Sequence, residues 1–334
     1  MTHRAEADIS AFIVDGLDAV PQRLRGAAVV IGNFDGMHRA HQELLGKALD
    51  AARARNVPAI VLTFEPHPRI LFQPDAPLFR LTPRAAKARI ARALGFDAMV
   101  VIAFDPEFSA LSANDFVRTV LVERLAADTA VVGFNFRFGA GRGGSTEFLT
   151  EAGKRYGFRI IVVDQIDDQA GERISSGIVR DLLAAGNVER ANDVLGYRWF
   201  VSGTVIGGER RGRELGFPTA NLRLPAEIAL RHGIYAVTWR RPDGSVHEGV
   251  ASFGRRPTFD NGAPLLEVHL FDFNGDLYGE AAIVTFFGWI RPEEKFPDAA
   301  ALVARMNQDA AEARAILASA GPGTELDRRL LAET

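Results

Sequence analysis

The sequence contains no cysteine, which excludes disulfide bonds, thiolate metal sites and cysteine nucleophiles. No apolar run approaches the roughly 18 residues that a membrane-spanning helix needs, and the first residues lack the apolar core of a signal peptide. The formal net charge is −3 and the pI about 6.2, so the basic balance typical of duplex-binding proteins is missing too. We therefore expect a cytoplasmic protein with neither nucleic acid nor membrane as a partner. The sequence leaves the oligomeric state open.

The chain has 334 residues, more than one ordinary domain, and 47% of them are apolar while 24% are charged. These proportions are normal for a soluble globular protein and suffice to fill two cores. Near Ala191 the pattern changes from alternating strands and helices to closely spaced strands. The predicted domains are therefore residues 1–190 and 191–334.

The first half predicts an α/β domain with a mostly parallel sheet. Short runs rich in valine, isoleucine and alanine alternate with helical segments, as expected for strands covered on both faces. The predicted strands are Ala27–Ile31, Ile60–Phe64, Met99–Phe104, Ala130–Val132 and Ile160–Val163. Helix starts are predicted at His41, Thr82–Pro83, Ser112, Thr146 and Ser176, with the Thr82 hydroxyl as the cap of the second. Ligands of such sheets bind beyond the carboxyl ends of the strands.

The second half predicts an antiparallel barrel or sandwich followed by a helix. Its β-like runs recur at intervals of about a dozen residues and are separated by turn signals such as Asn274–Gly275. Only Ala299–Leu317 returns to a helical pattern. The predicted strands are Trp199–Val205, Ile234–Arg240, Val246–Phe253, Leu265–Phe271 and Ala281–Phe287.

The segment Gly32–His41 follows the first predicted strand and opens a helix, which makes it a candidate phosphate site. Its glycines permit a tight turn, and a helix N-terminus offers backbone N–H groups and a positive dipole. His38 and His41 are three residues apart, so both can face one ligand and stabilise charge on a triphosphate. Two alternatives stay open at this point: a glycine-rich turn with surface histidines, or a pair of metal ligands.

Two further segments of the first half are candidate ligand sites. Thr63–Pro68 contains two prolines beside Phe64, a rigid aromatic rim suited to a planar ring, although an ordinary proline-containing loop has the same composition. Ser175 and Ser176 begin a helix with Arg180 one turn inside, which suits an anion. A plain N-cap serine is the alternative for this second segment.

The glycines of the range Gly139–Gly144 satisfy the spacing G-x-G-x-x-G, with Asp164 at the distance expected of a dinucleotide-binding fingerprint. An NAD-dependent oxidoreductase is therefore a rival hypothesis. Residues Phe134–Phe138 stand between the preceding strand and these glycines, where that fingerprint requires a tight turn. A flavin or nucleotide carrier without catalysis is a second rival.

In the second half, Gly207–Asn221 combines glycines and three arginines with the run Pro-Thr-Ala-Asn. Glycines and arginines suit a polyphosphate, and a solvated charged loop is the alternative. Thr219 and Asn221 alternate along an extended segment, so their side chains point the same way, and their oxygens are hard ligands suited to phosphate-bound Mg²⁺. Glu267 is a lone acid in an apolar strand, so it is either exposed on the outer face or functional.

Six of these segments, taken in order, resemble the bacterial bifunctional riboflavin kinase/FAD synthetase family over nearly the whole chain. They are GNFDGMHRAH, TFEPHP, GFNFRFG, ISSGIVR, GRELGFPTAN and LEVHLFDFNGDLYG. The resemblance implies an N-terminal FMN adenylyltransferase on a Rossmann-like sheet of the HxGH nucleotidyltransferase superfamily. It implies a C-terminal riboflavin kinase on a small Greek-key β-barrel. ATP with Mg²⁺ is the implied co-substrate, and riboflavin, FMN and FAD are the implied substrates and products.

The resemblance also implies roles for single residues of the first half. The implied catalytic residues are His38, His41 and Arg180, which match positions around the ATP phosphates. The implied ATP-binding residues are Gly32, Asn33, Phe34, Asp35, Gly36, Ser175 and Ser176. The implied flavin-binding residues are Phe64, Pro66, Pro68 and Asn135. Two positions depart from the family pattern: Ala40 stands where glycine is usual, and Gly177 stands where a hydroxyl residue is usual.

In the second half, the resemblance implies that Thr219 and Asn221 bind Mg-ATP. It makes Glu267 the catalytic base for the ribityl 5′-hydroxyl of riboflavin. The implied ATP-binding residues of this kinase half are Gly207, Arg211, Gly212, Arg213 and Pro218.

Overall fold

The computed structural model describes residues 9–165, 174–207, 216–255 and 264–332. Contacts divide the chain into two compact units, one ending at Ser175 and the other beginning at Ser176. This division lies N-terminal to the expected boundary at 190–191, because the helices between those positions contact the second unit. For example, Arg231 Nη1 donates to Ala185 O at 2.8 Å. Where the division between two activities falls stays a prediction.

Six parallel strands form the sheet of the first unit: β1 Ile13–Asp15, β2 Ala28–Ile31, β3 Ala59–Glu65, β4 Ala98–Ala103, β5 Thr129–Gly133 and β6 Arg159–Val163. Their order is β1-β4-β3-β2-β5-β6, and every pairing is parallel. The predicted α/β class is confirmed. All of β2 is buried, as expected for a central strand of a sheet covered on both faces.

The helices of the first unit are α1 Arg39–Arg55, α2 Pro68–Phe72, α3 Arg84–Leu94, α4 Pro106–Ser109, α5 Ala113–Asp115 and α6 Thr146–Tyr156. α5 continues as a π-helix over Phe116–Arg124. The predicted cap at Ser112 is confirmed, since its hydroxyl accepts from the Asp115 N–H at 3.1 Å. α1 begins after His38 and ends at Asn56, which has left-handed backbone angles.

The predicted cap at Thr82 is wrong. α3 begins after Pro83, and no side chain caps it. The Thr82 hydroxyl instead donates to Phe34 O at 3.2 Å and accepts from the Gly36 N–H at 2.8 Å. These backbone groups are buried and need partners, so the long-range bonds replace the local cap. As a result, the loop after β2 is fastened to the start of α3.

Six antiparallel strands form the second unit: β7 Phe200–Ile206, β8 Ala220–Arg223, β9 Gly233–Arg240, β10 Val246–Arg255, β11 Pro264–Leu270 and β12 Ala281–Arg291. Their order, β10-β11-β8-β7-β12-β9, closes into a barrel because β9 pairs with both β10 and β12. Along β11, burial alternates, with Val268 buried between the partly exposed Glu267 and His269. Glu267 therefore faces away from the barrel interior.

The described helices of the second unit are α7 Ser176–Ala185, α8 Val188–Leu195, α9 Ala299–Ser319 and α10 Glu325–Ala332. α9, the helix predicted from the C-terminal pattern, packs against β9, β10 and β12. Within the part of the chain that the structure describes, no helix is both long and apolar enough to cross a membrane.

Two candidate active sites

The first site is built on the histidine loop, residues 32–38, which connects β2 to α1 at the carboxyl edge of the sheet. Phe34 and Met37 have positive φ angles of 49° and 41°, which are uncommon for side-chain-bearing residues. Three bonds from Thr82 hold this loop: those to Phe34 and Gly36, and a third in which the Thr82 N–H donates to Asp35 Oδ1 at 3.0 Å. The Thr82 contacts therefore maintain a conformation that is locally unfavourable.

The two histidines stand at the start of α1. His38 is the N-cap, and its Nδ1 accepts from the His41 N–H at 3.4 Å. Their rings stack with centroids 3.7 Å apart and an angle of 14° between the planes. Because Nδ1 of His38 is an acceptor, the proton of its neutral ring lies on Nε2. Both imidazoles thus lie side by side at a helix N-terminus, as the spacing predicts.

Burial makes this pair neutral. It lowers the pKa of His38 to about 4, with the Asp35 carboxylate acting in the opposite direction. It also lowers the pKa of His41 well below its ordinary value, and the positive charges of His38 and Lys87 add to that shift. His41 Nδ1 is buried and has no hydrogen-bond partner among the described residues. Buried nitrogens of this kind bond to a protein group, an ordered water or a ligand.

The metal-pair alternative finds no support. The residues that the structure describes contain no group of three or more histidine, aspartate or glutamate side chains arranged to hold a metal ion. Asp35, the nearest candidate in the loop, uses its carboxylate to accept from Thr82.

Sequence reasoning missed the charged groups beside this loop. Lys87 on α3 is only 1% exposed, and its Nζ donates to Thr63 Oγ1 at 3.0 Å. Glu65 lies 3.6 Å from the same ammonium and accepts two bonds from Arg80, at 2.6 and 2.9 Å. The available signal was weak: Lys87 lies within the alanine-rich sequence of α3, where lysine usually faces solvent.

The predicted flavin rim lies at the carboxyl ends of β3 and β5. Phe64 is buried and its ring lies 5.8 Å from those of Phe104 and Phe108. Pro66 follows Glu65 through a cis peptide bond, and Pro68 begins α2. Asn135 is exposed just after β5. Phe72 on α2 is 66% exposed and extends this aromatic group toward solvent, so the segment presents a partly open aromatic surface.

The remaining residues predicted for this site lie on both sides of the point in the sequence where the two units divide. Ser175 is the last residue of the first unit, whereas Ser176 and Arg180 lie in the first turns of α7, in the second unit. Their role around the phosphates stays a prediction.

The glycines behind the NAD hypothesis have another explanation. A Cβ atom at Gly139 would lie 2.6 Å from Ala113 N, and one at Gly144 would lie 2.7 Å from the Phe138 ring. These two glycines are therefore required by packing within the unit. Phe134 and Asn135 form a turn after β5 and Phe138 pairs with Gly144, so a tight strand-to-helix turn of the dinucleotide-binding kind does not follow this strand.

The second site lies on the outer face of the barrel around Glu267. In register, Glu267 on β11 lies opposite Asn221 on β8 and opposite Ser252 on β10. Asn221 is 5% exposed. Directly opposite residues share one face of a sheet, so the carboxylate of Glu267 and the carboxamide of Asn221 are neighbours.

Two cavities meet at Thr219, which lines both. The first, of about 420 Å³, contains Glu267 and is walled by Leu302 and Met306 of α9. The second, of about 510 Å³, contains Pro218 and the segment 273–278 after β11. Their shared wall places Thr219 between a mainly apolar pocket that also contains several carboxylates and a more polar pocket.

Neighbouring contacts hold this wall in place. His269 Nδ1 donates to Pro218 O at 2.9 Å, and its ring lies 4.9 Å from that of Phe217. Gly207 follows β7 directly. Arg211, Gly212 and Arg213, predicted to bind ATP, lie outside the described residues.

Two family models match successive parts of the chain. Residues 20–178 match the family model of FAD synthetase, and residues 195–317 match that of riboflavin kinase. A bifunctional riboflavin kinase/FMN adenylyltransferase of Escherichia coli strain K12 is 40% identical over 301 residues, 90% of this chain and 95% of that protein. The protein of that name from Pseudomonas fluorescens is 38% identical over 307 residues, covering 92% and 98%.

A solved structure from Streptococcus pneumoniae, described as a macrolide-efflux protein, superimposes with a TM-score of 0.80. It is 30% identical in sequence and covers 91% of this chain and 99% of its own. The efflux name belongs to that protein alone.

A parallel sheet with a glycine–histidine loop, joined to a closed barrel with a carboxylate-lined cavity, defines a two-unit transferase of phosphorus-containing groups. Both family models match, and the relatives align over nearly their whole length. The chain belongs to the family of bifunctional riboflavin kinase/FMN adenylyltransferases.

Proposed function

We propose that the barrel unit phosphorylates riboflavin to FMN with ATP, and that the sheet unit transfers the adenylyl group of a second ATP to FMN, giving FAD. The observation that carries the kinase half is the pair of cavities sharing Thr219, with Glu267 on one side. An apolar pocket suits the flavin ring, and the neighbouring polar pocket suits the nucleotide.

In the kinase reaction, the ribityl 5′-oxygen of riboflavin attacks the γ-phosphorus of ATP, and Glu267 accepts the proton of that hydroxyl. The new O–P bond forms as the bond to the β-phosphate oxygen breaks, and ADP leaves. Thr219 and Asn221 offer a hydroxyl and a buried carboxamide oxygen beside Glu267, a donor set that fits Mg²⁺. These two residues would hold the ion, which would supply positive charge to the β- and γ-phosphate oxygens.

In the adenylyltransferase reaction, a phosphate oxygen of FMN attacks the α-phosphorus of ATP and diphosphate leaves. The attacking group is already anionic, so the site needs no strong base. His38 and His41 are neutral and donate N–H groups to phosphate oxygens, and the N-terminus of α1 adds its dipole. The buried and unsatisfied Nδ1 of His41 supports this role.

A time course with riboflavin, ATP and Mg²⁺ tests the proposal directly. FMN should appear first and FAD later when the products are separated by chromatography. Glu267→Gln should abolish FMN formation and still convert supplied FMN to FAD. Glu248→Gln, at an exposed position on β10, is the matched control and should retain both steps. Loss of both steps by a folded Glu267→Gln protein would contradict the assignment.

A further inference from the structure

A buried cluster of charged side chains lies beside the histidine loop, and the chemistry proposed above leaves it unused. Lys87 is its most deeply buried member, with 1% of its side chain exposed. Its partners are the Thr63 hydroxyl at 3.0 Å and the Glu65 carboxylate at 3.6 Å, and that carboxylate is shared with Arg80. A charge is costly to bury, so the position of this lysine requires an explanation.

The hydrogen bonds of Thr63 connect this lysine to the histidine loop. Thr63 Oγ1 accepts from Lys87 Nζ and donates to Asn33 O at 3.3 Å. The Thr82 hydroxyl holds the next carbonyl, that of Phe34, at 3.2 Å. Two threonines thus bind successive carbonyls of a loop with unfavourable backbone angles. The Thr63 hydroxyl accepts from a buried ammonium, and hydrogen bonds to charged groups are stronger than neutral ones.

The same cluster acts on the histidines through its charge. The ionisable groups facing this part of the loop are Asp35 and His38 from the loop itself, Glu65 from β3, Arg80 and Lys87. Burial lowers the pKa of Lys87 to about 8, and Glu65 opposes that shift. Burial is the largest cause of the lowered pKa of His41, the charge of His38 is the second, and the charge of Lys87 is the third.

We propose that Lys87 is a positioning residue of the adenylyltransferase site: it fixes the histidine loop through Thr63, and its charge adds to the burial that keeps His41 neutral. The proposal rests on the proposed function of that site. The histidine loop is then ordered, and both imidazoles are neutral, before ATP binds.

Three variants separate the tie from the charge. Lys87→Met removes the ammonium and its bond to Thr63 and keeps the length of the side chain. Thr63→Val removes the tie to Asn33 and leaves the ammonium in place. Lys87→Arg keeps a charged donor. Lys154→Met, at a lysine that is 69% exposed on α6, is the matched control.

In Lys87→Met, kcat/KM for FAD formation from FMN should fall on the order of 10- to 100-fold, the loss of a charge-assisted bond, mainly through kcat. The acid limb of its pH profile should move to higher pH, because His41 no longer faces the ammonium. Thr63→Val should lower kcat without moving that limb. Lys87→Arg should recover part of the rate, with the limb at its wild-type position. FMN formation from riboflavin should be unchanged in every variant.

Histidine ring signals in NMR, assigned with His38→Gln and His41→Gln, test the charge effect without turnover. His41 should titrate at higher pH in Lys87→Met than in the wild-type chain. The proposal is overturned if Lys87→Met keeps wild-type FAD formation and His41 titration, or if it loses rate no more than Thr63→Val and moves no titration. If Lys87→Met does not fold, wild-type kcat in Thr63→Val overturns it. A wild-type chain that makes no FAD refutes the proposed function instead.

Discussion

The contact between Arg291, the last residue of β12, and Asp309 on α9 fastens the C-terminal helix to the barrel. Nε and Nη2 of Arg291 both donate to the Asp309 carboxylate at 2.7 Å. The two side chains are only 8% and 4% exposed, and Arg305 lies 3.4 Å from the same carboxylate. The hydrogen bond to Asp309 raises the pKa of Arg291 above its ordinary value. We predict that Asp309→Asn destabilises the barrel unit.

The expected magnitude follows from burial. Removing one partner of a buried ion pair costs about 3–5 kcal/mol. Asparagine retains one acceptor oxygen, and Arg291 also donates to Pro292 O at 2.8 Å, so we expect a loss of about 2–4 kcal/mol. With a urea dependence of about 2 kcal/mol per molar, the middle of the usual range, the midpoint should fall by about 1–2 M. The double variant Arg291→Met/Asp309→Leu should regain part of this loss, because no unpaired charge stays buried.

Tryptophan fluorescence is a selective probe for this experiment. The chain has three tryptophans, Trp199, Trp239 and Trp289, and all lie in the barrel unit. Urea unfolding followed by this signal therefore reports the barrel alone. Asp309 also lines the proposed flavin cavity, so KM for riboflavin should rise while FAD formation from supplied FMN stays constant. An unchanged midpoint in Asp309→Asn, or a double variant as unstable as the sum of the singles, would refute this argument.

Three further predictions concern the proposed adenylyltransferase. His41→Gln should slow FAD formation from FMN about 10²-fold while FMN formation continues, measured by product chromatography; a normal rate of FAD formation would remove His41 from the mechanism. Ala40→Gly and Gly177→Thr, which restore the family residues, should raise that rate together, and no change would show that the departures are harmless. The pKa of His38 falls from 6.5 to about 4 on folding, so the unfolded chain binds this proton first. Stability should therefore decrease as the pH falls from 6.5 towards 4, by up to about 3 kcal/mol. Urea unfolding followed by circular dichroism should show the sheet unit as a transition that tryptophan fluorescence does not report. In His38→Gln, the midpoint of that transition should depend less on pH.

The strands that could be predicted are those with continuous apolar sequence. β2 and β3 are buried along nearly their whole length, so composition alone identifies them. β1 has three residues and β8 four, and neither carries a long enough pattern to be recognised. β8 nevertheless places Asn221 opposite Glu267. That pairing joins distant parts of the chain, so no local pattern contains it.

The same limit explains what was missed beside the histidines. Thr82 followed by proline is a sound local signal for a helix cap, and the structure uses its hydroxyl for the Phe34 carbonyl instead. Lys87 lies in an alanine-rich helix, and its burial depends on Thr63 and Glu65 being provided by β3. Local propensity predicts which element forms. It does not predict which distant polar group an element must satisfy.

The two proposed sites differ in charge because their nucleophiles differ. A ribityl hydroxyl must lose a proton as it attacks, so the barrel site needs a carboxylate as a base, and Glu267 lines its cavity. The phosphate of FMN is already anionic, so a carboxylate in the sheet site would only repel it. There Asp35 accepts from Thr82 and Glu65 accepts from Arg80, and the imidazoles next to them are neutral. Both nucleophiles attack ATP, but only the hydroxyl has to lose a proton. This difference accounts for a base in the barrel unit and for buried, paired charges in the sheet unit.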